Sequence, residues 1–203
     1  MKTVEYPFSI VVSVSTPHYG IGLNGDIPWV SENDHKHFED ITRTVRSDTF
    51  DKCNAVIMGY NTWKSICKRP LDGRVNIIVT SNKGESFSNL GGTLVFVKTL
   101  YLALMLCKMR TDIERAFVIG GYQMFKSAMK HPWLASVYVT EIDSREYIPM
   151  DMQFPFREKL NLNYFDIYVL GCSKEVDKRI IYKRFDKCMS TTDWSDDHPF
   201  AWV

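Results

Sequence analysis

The sequence is poor in paired cysteines, which argues against small disulfide and zinc scaffolds. Its 203 residues include five cysteines, spaced far apart at positions 53, 67, 107, 172 and 188. They form no C-x-x-C pair and no nearby cysteine–histidine cluster, so neither a structural zinc site nor a disulfide framework is expected. The histidines show no metal-ligand spacing either, and we predict no metal site. Free thiols indicate a reducing compartment, and we expect a cytoplasmic protein.

The sequence also has no excess of positive or negative charge. Lys plus Arg number 25 and Asp plus Glu number 24, which leaves a net charge of +1. A dedicated nucleic-acid or membrane-surface binder needs a broad basic field, so the sequence predicts neither partner. Any anionic ligand must then be held by a few local groups. We expect a monomer that acts on a small molecule.

A long uninterrupted hydrophobic run is also absent. The stretch Tyr6–Gly25 carries no formal charge, but serine, proline, glycine and asparagine residues interrupt it. A membrane-spanning helix needs about 20 mainly apolar residues, so we interpret the start of this stretch as a buried strand.

The remaining composition is that of one globular α/β domain. Hydrophobic residues make up 45% and charged residues 24%, which is enough apolar material for a core. Apolar and β-branched runs predict eight strands: Ser9–Val14, Ala55–Met58, Val75–Thr80, Leu94–Val97, Ala116–Ile119, Val137–Ile142, Phe165–Leu170 and Arg179–Phe185. Helical patterns predict Asp34–Val45, Thr62–Ile66, Leu100–Met109 and Met124–Met129.

These elements predict a mixed sheet within a single domain. Continuous apolar strands are typical of a sheet covered on both faces, as in α/β proteins. The polar stretch Ser173–Lys178 separates the last two strands and predicts an antiparallel hairpin there. We assign residues 1–185 to the domain and residues 186–203 to a tail of unknown role.

A glycine-rich loop follows the first strand. Gly20–Gly25 matches the G-x-G-x-x-G pattern of dinucleotide-binding folds, in which the glycines open a helix. Pro28 follows three residues later and argues against a helix that begins in the glycine run. We therefore interpret Gly20–Pro28 as a loop that a ligand approaches closely or that closes over it, and an ordinary surface loop is the alternative.

Asp34 is the most informative single residue. Ser31 predicts a helix N-cap, with Asp34 at the third position of a Ser-x-x-Asp capping pattern. Asp34 also precedes Phe38 and Ile41 by four and seven residues, a spacing that turns its carboxylate toward the apolar face. An inward acid is costly without a partner. One interpretation is therefore a pocket carboxylate for a cationic or amidine-like group, and the other is an acid that complements the helix dipole.

Two junctions of strand, glycine and helix occur in the chain. Gly59 follows one apolar strand, and Gly120-Gly121 follow another. Such junctions let a backbone approach a ligand closely, and together they predict a nucleotide pyrophosphate across the carboxyl ends of neighbouring strands. Arg74 begins another apolar strand and is a candidate for a bidentate carboxylate clamp.

Together these segments resemble the dihydrofolate reductase family. The resemblance rests on motifs in the family's order and spacing from about residue 8 to residue 185: GIGLNGDIPW, Asp34 with Phe38, VIMGYNTWKSI, RPLDGRVNIIVTS, FVIGG and VYVTEID. It implies one α/β domain around a mostly parallel eight-stranded sheet with an antiparallel C-terminal strand. It also implies NADPH-dependent reduction of 7,8-dihydrofolate to tetrahydrofolate.

The resemblance also implies residue roles. Asp34 would bind the pterin, Thr140 would support it, and Trp29 would hold a water molecule. The implied substrate contacts are Val11, Phe38, Ile66, Leu71, Arg74 and Ile119. The implied cofactor contacts are Ser13, Ile21, Gly22, Gly59, Tyr60, Thr62, Thr80, Ser81, Gly120, Gly121 and Phe125, with Lys83 as a further candidate for the 2′-phosphate.

Four residues depart from the family's usual pattern. Tyr60 stands where a basic residue usually faces the cofactor 2′-phosphate, which predicts weaker preference for NADPH over NADH. Phe125 replaces a tyrosine, Ser13 an alanine, and His35 an apolar residue. Two alternatives remain open: a pyrimidine reductase of riboflavin biosynthesis on the same fold, and a nucleotide-binding module without catalysis.

Overall fold

A computed structural model of the chain describes residues 5–48, 51–81, 92–155 and 165–188. Lys83 and residues 189–203, which make up most of the predicted tail, lie outside the described residues. None of the helices in the described ranges is long and apolar enough to cross a membrane. All five cysteines lie within those ranges, and each is a free thiol.

The backbone forms one sheet whose main path runs through eight strands in the order β5-β4-β3-β6-β1-β7-β10-β9. Two short strands, β2 and β8, lie off this path. The ten strands are β1 Phe8–Ser15, β2 Gly20–Gly22, β3 Cys53–Gly59, β4 Arg74–Val79, β5 Leu94–Val97, β6 Ile113–Gly120, β7 Leu134–Ser144, β8 Met152–Gln153, β9 Phe165–Lys174 and β10 Lys178–Lys187.

Most neighbouring strands on the main path are parallel. The parallel pairs are β5–β4, β4–β3, β3–β6, β6–β1 and β1–β7. β10 is antiparallel to both of its neighbours, β7 and β9. The predicted mixed sheet, its final hairpin and its antiparallel C-terminal strand are therefore confirmed.

Helices cover this sheet where the sequence predicts them, with small shifts at their ends. They are α1 Glu32–Arg43, α2 Tyr60–Ser65, α3 Leu100–Met109 and α4 Tyr122–Ala128. Ser31 caps α1 as predicted, because its side chain accepts a hydrogen bond from the Asp34 backbone N–H. α2 begins two residues before the predicted Thr62, since Gly59 takes the N-cap position.

The core lies on both faces of the central strands. Five consecutive residues of β3 and five of β4 are buried, as expected for parallel strands that helices cover on both sides. The larger cluster packs α3 and α4 against one face, and a smaller cluster around Trp63 of α2 fills the other. Trp29, Ile142 and Ile180 form a third cluster beside α1. This packing fixes the strand ends that surround the cleft described next.

The sequence patterns missed the two short strands. β2 pairs antiparallel with β1 and with β8, which spans only Met152–Gln153. Segments of two or three residues carry no measurable alternation of apolar and polar side chains, so periodicity does not reveal them.

Candidate active site

A cleft of about 1570 Å³ opens where β3, β4 and β6 end, between α1 and the loop that follows β2. Its location is the crevice outside the carboxyl ends of parallel strands, where open α/β sheets bind their ligands. Residues of β1 and β7 complete one wall. The cleft has a half built around side chains of α1 and a half built around glycines.

Asp34 is the acid of the first half. It lies in the first turn of α1 and lines the cleft. The Ser13 hydroxyl donates a hydrogen bond of 2.5 Å to its Oδ1 atom. The carboxyl group is therefore turned inward, as the spacing of α1 predicts, and is engaged with β1 rather than with the backbone of its own cap.

Burial governs the electrostatics of Asp34. Desolvation raises the pKa of its carboxyl above the ordinary value of 3.8, because the charged form loses water. The hydrogen bond from Ser13 acts in the opposite direction, and so do the nearby side chains Thr140, Trp29 and His37. The group therefore keeps a proton to higher pH than an exposed aspartate, close to where a ligand would bind.

Trp29 and Thr140 frame this carboxyl. Ser13 of β1 and Thr140 of β7 are directly paired in the sheet register, which brings the threonine beside Asp34. Trp29 is buried, and its indole Nε1 has no hydrogen-bond partner among the described residues. A buried N–H of this kind normally has a partner. The N–H lies close enough to Asp34 to lower the pKa of its carboxyl but is not in hydrogen-bond geometry with it, so it fits a ligand atom or an ordered water molecule in the cleft.

The turn between β9 and β10 anchors the start of α1. Glu175 Oε1 accepts a hydrogen bond of 2.7 Å from the Ser31 hydroxyl and two of 3.2 Å from the backbone and side-chain N–H groups of Asn33. His37, one turn further on, stacks against Tyr182 with 4.1 Å between ring centres. The sequence patterns did not identify these contacts, because no local signal links the hairpin to α1.

The glycine half is built from backbone. Gly59 caps α2 and Gly121 caps α4, so both predicted junctions form at neighbouring strand ends. A Cβ on either Gly120 or Gly121 would lie 3.1 Å from the Thr62 hydroxyl oxygen, and Gly120 has a φ of +143°. Only glycine suits both the close spacing and this backbone conformation. The cradle therefore admits a large ligand that lies against bare peptide groups, as a dinucleotide does.

Three lysines lie near the outer end of this half, and one of them, Lys98, lines the cleft. The ammonium groups of Lys64 and Lys68 lie 5.6 and 5.3 Å from the ring centre of Tyr60, at cation–π distance. Lys98 lines the cleft near Thr80 and Ser81. The sequence patterns pointed to Thr80, Ser81 and Lys83 for the 2′-phosphate and did not identify these three lysines. Lys64 lies in the last turn of α2, and Lys68 follows the end of that helix.

The loop after β2 closes one side of the cleft. Asp151 holds it, because the Asn24 backbone N–H donates a 2.7 Å hydrogen bond to Asp151 Oδ2. The Asp151 N–H in turn donates to the Gly22 carbonyl at 3.1 Å. No helix begins in the glycine run, and the next helix starts at Glu32. The prediction that no helix opens in the glycine run is therefore confirmed, but the interpretation of Gly20–Pro28 as a loop is wrong for its first three residues, because Gly20–Gly22 pair with β1 and β8 as strand β2.

Arg74 stands apart from the other predicted residues. Its side chain is 2% exposed, and it does not line the cleft. Its guanidinium lies 5.8 Å from the Phe38 ring centre and is hydrogen-bonded to the Thr42 hydroxyl and the Asp72 carbonyl. The other predicted site residues within the described ranges all line the cleft: Val11, Ser13, Ile21, Gly22, Trp29, Asp34, Phe38, Gly59, Tyr60, Thr62, Ile66, Leu71, Thr80, Ser81, Ile119, Gly120, Gly121, Phe125 and Thr140.

A glycine cradle that meets a buried carboxyl above parallel strands is the arrangement of a nucleotide-dependent α/β enzyme. The chain belongs to the dihydrofolate reductase family, which it matches over residues 8–171. This result confirms the resemblance drawn from the sequence motifs.

Relatives and a solved structure extend this match to most of the chain. A dihydrofolate reductase of Heliothis virescens is 33% identical over 174 residues, covering 85% of this chain and 92% of that protein. One from Pneumocystis carinii is 38% identical over 162 residues, covering 74% and 76%. The structure of Schistosoma mansoni dihydrofolate reductase has a TM-score of 0.73 and 27% identity, covering 91% of this chain and all of that one.

Proposed function

We propose that this protein reduces 7,8-dihydrofolate to 5,6,7,8-tetrahydrofolate with NADPH as the hydride donor. The observation that carries the proposal is the buried carboxyl of Asp34 beside a glycine cradle, in a chain that belongs to the dihydrofolate reductase family. When bound, the reduced nicotinamide supplies the hydride that adds to C6 of the pterin. The protein must orient the two ligands, exclude water and favour protonation at N5.

Asp34 would hold the pterin through its 2-amino group and N3. Its inward orientation supports this role, since the carboxyl lies at the floor of the cleft beside β1, where it can pair with the amidine-like edge of the pterin. Polarisation of the ring by Asp34 would favour protonation of N5 by solvent. Thr140 would support the carboxyl, and the orphaned Trp29 N–H would bind a water molecule.

The rest of the substrate would extend along α1. The backbone carbonyls of Val11 and Ile119 would accept hydrogen bonds from the pterin. Apolar side chains of the cleft would contact the benzoyl group, namely Phe38, Ile66 and Leu71. Arg74 would bind the α-carboxylate of the glutamate tail, behind Phe38.

The glycine half would hold NADPH. The pyrophosphate would lie against the backbone of Gly59, Gly120 and Gly121, where an added Cβ would lie only 3.1 Å from Thr62 or 3.3 Å from Met124. Thr80 and Ser81, with Lys98 nearby, would contact the adenosine end. The nicotinamide would lie near Ser13, Ile21, Gly22 and Phe125, and Tyr60 and Thr62 would complete the contacts.

We propose further that the enzyme acts as a monomer in the cytoplasm, with residues 1–185 as the catalytic domain. The cleft is lined on all sides by residues of a single chain, so the proposed reaction requires no second subunit. The thiols of Cys67 and Cys172 are exposed and free, which suits a reducing compartment.

The test of the reaction is a spectrophotometric assay with the purified full-length chain. We expect loss of NADPH absorbance that depends on added dihydrofolate, together with formation of tetrahydrofolate measured by chromatography. Mixtures that lack either dihydrofolate or protein are the controls. A folded protein that binds NADPH but consumes none in the presence of dihydrofolate would contradict the proposal.

A further inference from the structure

Glu39 occupies the side of the cleft where the substrate tail would lie. It follows Phe38 on α1, lines the cleft, and its side chain is 36% exposed. Its Oε1 atom lies 3.4 Å from Nη2 of Arg74, whose own side chain is 2% exposed and does not line the cleft. A carboxylate that enters the cleft therefore meets Glu39 before it reaches Arg74.

Each of the three guanidinium nitrogens of Arg74 already has a contact, which accounts for three of its five N–H donors. Nε donates to the Asp72 carbonyl at 3.0 Å, Nη1 to the Thr42 hydroxyl at 2.7 Å, and Nη2 contacts Glu39. A guanidinium binds a carboxylate bidentately through Nη1 with Nη2 or through Nε with Nη2. Both arrangements use Nη2, the nitrogen that Glu39 contacts.

Charge in this region is balanced without a ligand. Arg43 Nη1 lies 3.7 Å from Glu39 Oε2, and Arg43 Nη2 lies 3.8 Å from Asp72 Oδ2. The two arginines thus face two carboxylates, Glu39 and Asp72. A further carboxylate adds an unbalanced negative charge unless Glu39 moves away, and like charges held close together oppose binding.

The contact with Glu39 is nonetheless exchangeable. At 3.4 Å it is longer than a strong charge-assisted hydrogen bond, and the partly exposed side chain has solvent beside it. Arg43, with a side chain 48% exposed, already contacts the other oxygen of Glu39 and can keep it when Arg74 is released. The energetic cost of the exchange is therefore that of a partly exposed ion pair.

We infer that Glu39 is an internal counter-ion for Arg74. By competing for this guanidinium, it lowers the preference of the cleft for ligands that have a carboxylate tail over ligands that lack one. This inference rests on the proposed function, because it concerns the tail of the same substrate. Glu39 acts on the tail and not on the ring, so its removal changes the preference between ligands that share a ring and differ in the tail.

The test compares dihydrofolate with 6-methyl-7,8-dihydropterin, which has the ring and lacks the carboxylate tail. For Glu39→Gln we expect the ratio of kcat/KM for dihydrofolate to that for the methylpterin to rise roughly two- to fivefold at low ionic strength. Added salt should reduce this gain, because a partly exposed charge is screened. Glu39 is at the protein surface, so the variant is expected to fold.

Asp40→Asn is the matched control. Asp40 is the exposed neighbour of Glu39 on α1 and does not line the cleft, so the variant makes the same change of net charge without touching Arg74. We expect it to move the ratio less than Glu39→Gln does. An equal change in both variants, or a Glu39→Gln ratio equal to that of the wild type, overturns the inference.

Binding separates this inference from the proposed reaction. Tryptophan fluorescence titrations with the same two compounds give the ratio of dissociation constants without turnover. If the wild-type protein reduces neither compound, the proposed function fails. A binding ratio that shifts two- to fivefold in favour of dihydrofolate in Glu39→Gln still supports the counter-ion role. An unshifted binding ratio overturns it, whatever the enzyme assay shows.

Discussion

The two halves of the cleft recognise ligands by different means. Around Asp34, recognition depends on one ionisable side chain whose pKa is raised by burial. Around Gly120 and Gly121, it depends on backbone and on the absence of side chains, since an added Cβ would lie 3.1 Å from the Thr62 hydroxyl oxygen. The first half offers an ionisable group to one small ring, while the second offers a backbone surface against which a long ligand can lie.

This difference predicts how each half fails. Loss of a charged group that touches the reacting ring should affect the rate and leave cofactor affinity nearly intact. Added bulk in the glycine cradle should weaken cofactor affinity and the fold together, because the same close packing serves both.

Asp34→Asn is expected to have the largest effect. The amide cannot supply the carboxyl chemistry at the pterin, so hydride transfer should slow by about 100-fold or more. The dissociation constant for NADPH should change less than threefold, as measured by fluorescence titration. Asp143→Asn, at an exposed position of β7, is the control and should retain the wild-type rate. Equal losses in rate and NADPH affinity would assign Asp34 a purely structural role.

The same variant has a second readout in the pH dependence of unfolding. Since burial raises the pKa of Asp34 in the folded protein, the unfolded chain loses this proton first as pH rises above the ordinary value of 3.8. This group therefore lowers the free energy of unfolding as pH rises through its folded pKa. In denaturant titrations, Asp34→Asn should become more stable relative to wild type as pH increases, and a constant difference would contradict the shift.

Gly120→Ala should have the next largest effect. The new Cβ would lie 3.1 Å from Thr62 Oγ1, and the residue would have to keep a φ of +143°. We expect a loss of about 1–3 kcal/mol in the free energy of unfolding and about tenfold weaker NADPH binding. In Gly171→Ala of β9, the new Cβ has only an ordinary 3.9 Å contact with Tyr182. Gly171→Ala is therefore the control. If NADPH affinity is unchanged in Gly120→Ala, or lowered equally in both variants, the glycine cradle is not the NADPH site.

Tyr60→Arg should have the smallest effect. It places a cation where the ring now lies against Lys64 and Lys68, and the preference for NADPH over NADH should rise about fivefold. Tyr60→Gln is the control, because it removes the ring and leaves both lysines in place without a new charge. A stronger preference for NADPH in both variants would mean that Lys64 and Lys68 bind the 2′-phosphate once the Tyr60 ring is removed. No gain in either would place that phosphate elsewhere.

The sequence predicted the positions of strands and helices better than it predicted the strand pairing that sets where they end. Strand β5 and helix α3 match the predicted bounds, because each is a compact apolar run with a clear turn on both sides. The last hairpin is four residues longer in β9 than predicted, since the ladder with β10 continues from Gly171 to Lys174, beyond the apolar run that the sequence shows. Pairing, rather than hydrophobicity, sets the length of such strands.

The site residues also divide into those whose placement local sequence predicted and those whose contacts only the fold creates. The spacing of Asp34 from Phe38 predicted an inward carboxyl, and the structure confirms that orientation. Nothing local pointed to Glu175, which lies 144 residues from Ser31 and holds the same helix. Arg74 was predicted as a clamp from its residue type, its place at the start of an apolar strand and the family resemblance, whereas its burial and its contact with Glu39 depend on how α1 packs beside β4.

By itself, the sequence determined which segments form the eight main strands and the four helices, where glycines interrupt them, and which face of α1 carries Asp34. These properties depend on residues a few positions apart, within reach of backbone geometry and side-chain periodicity. Only the tertiary structure decided that Ser13 and Thr140 meet at Asp34 and that Glu39 contacts Arg74. Those contacts depend on strand order and on separations below 4 Å between residues far apart in the chain, which no local pattern specifies.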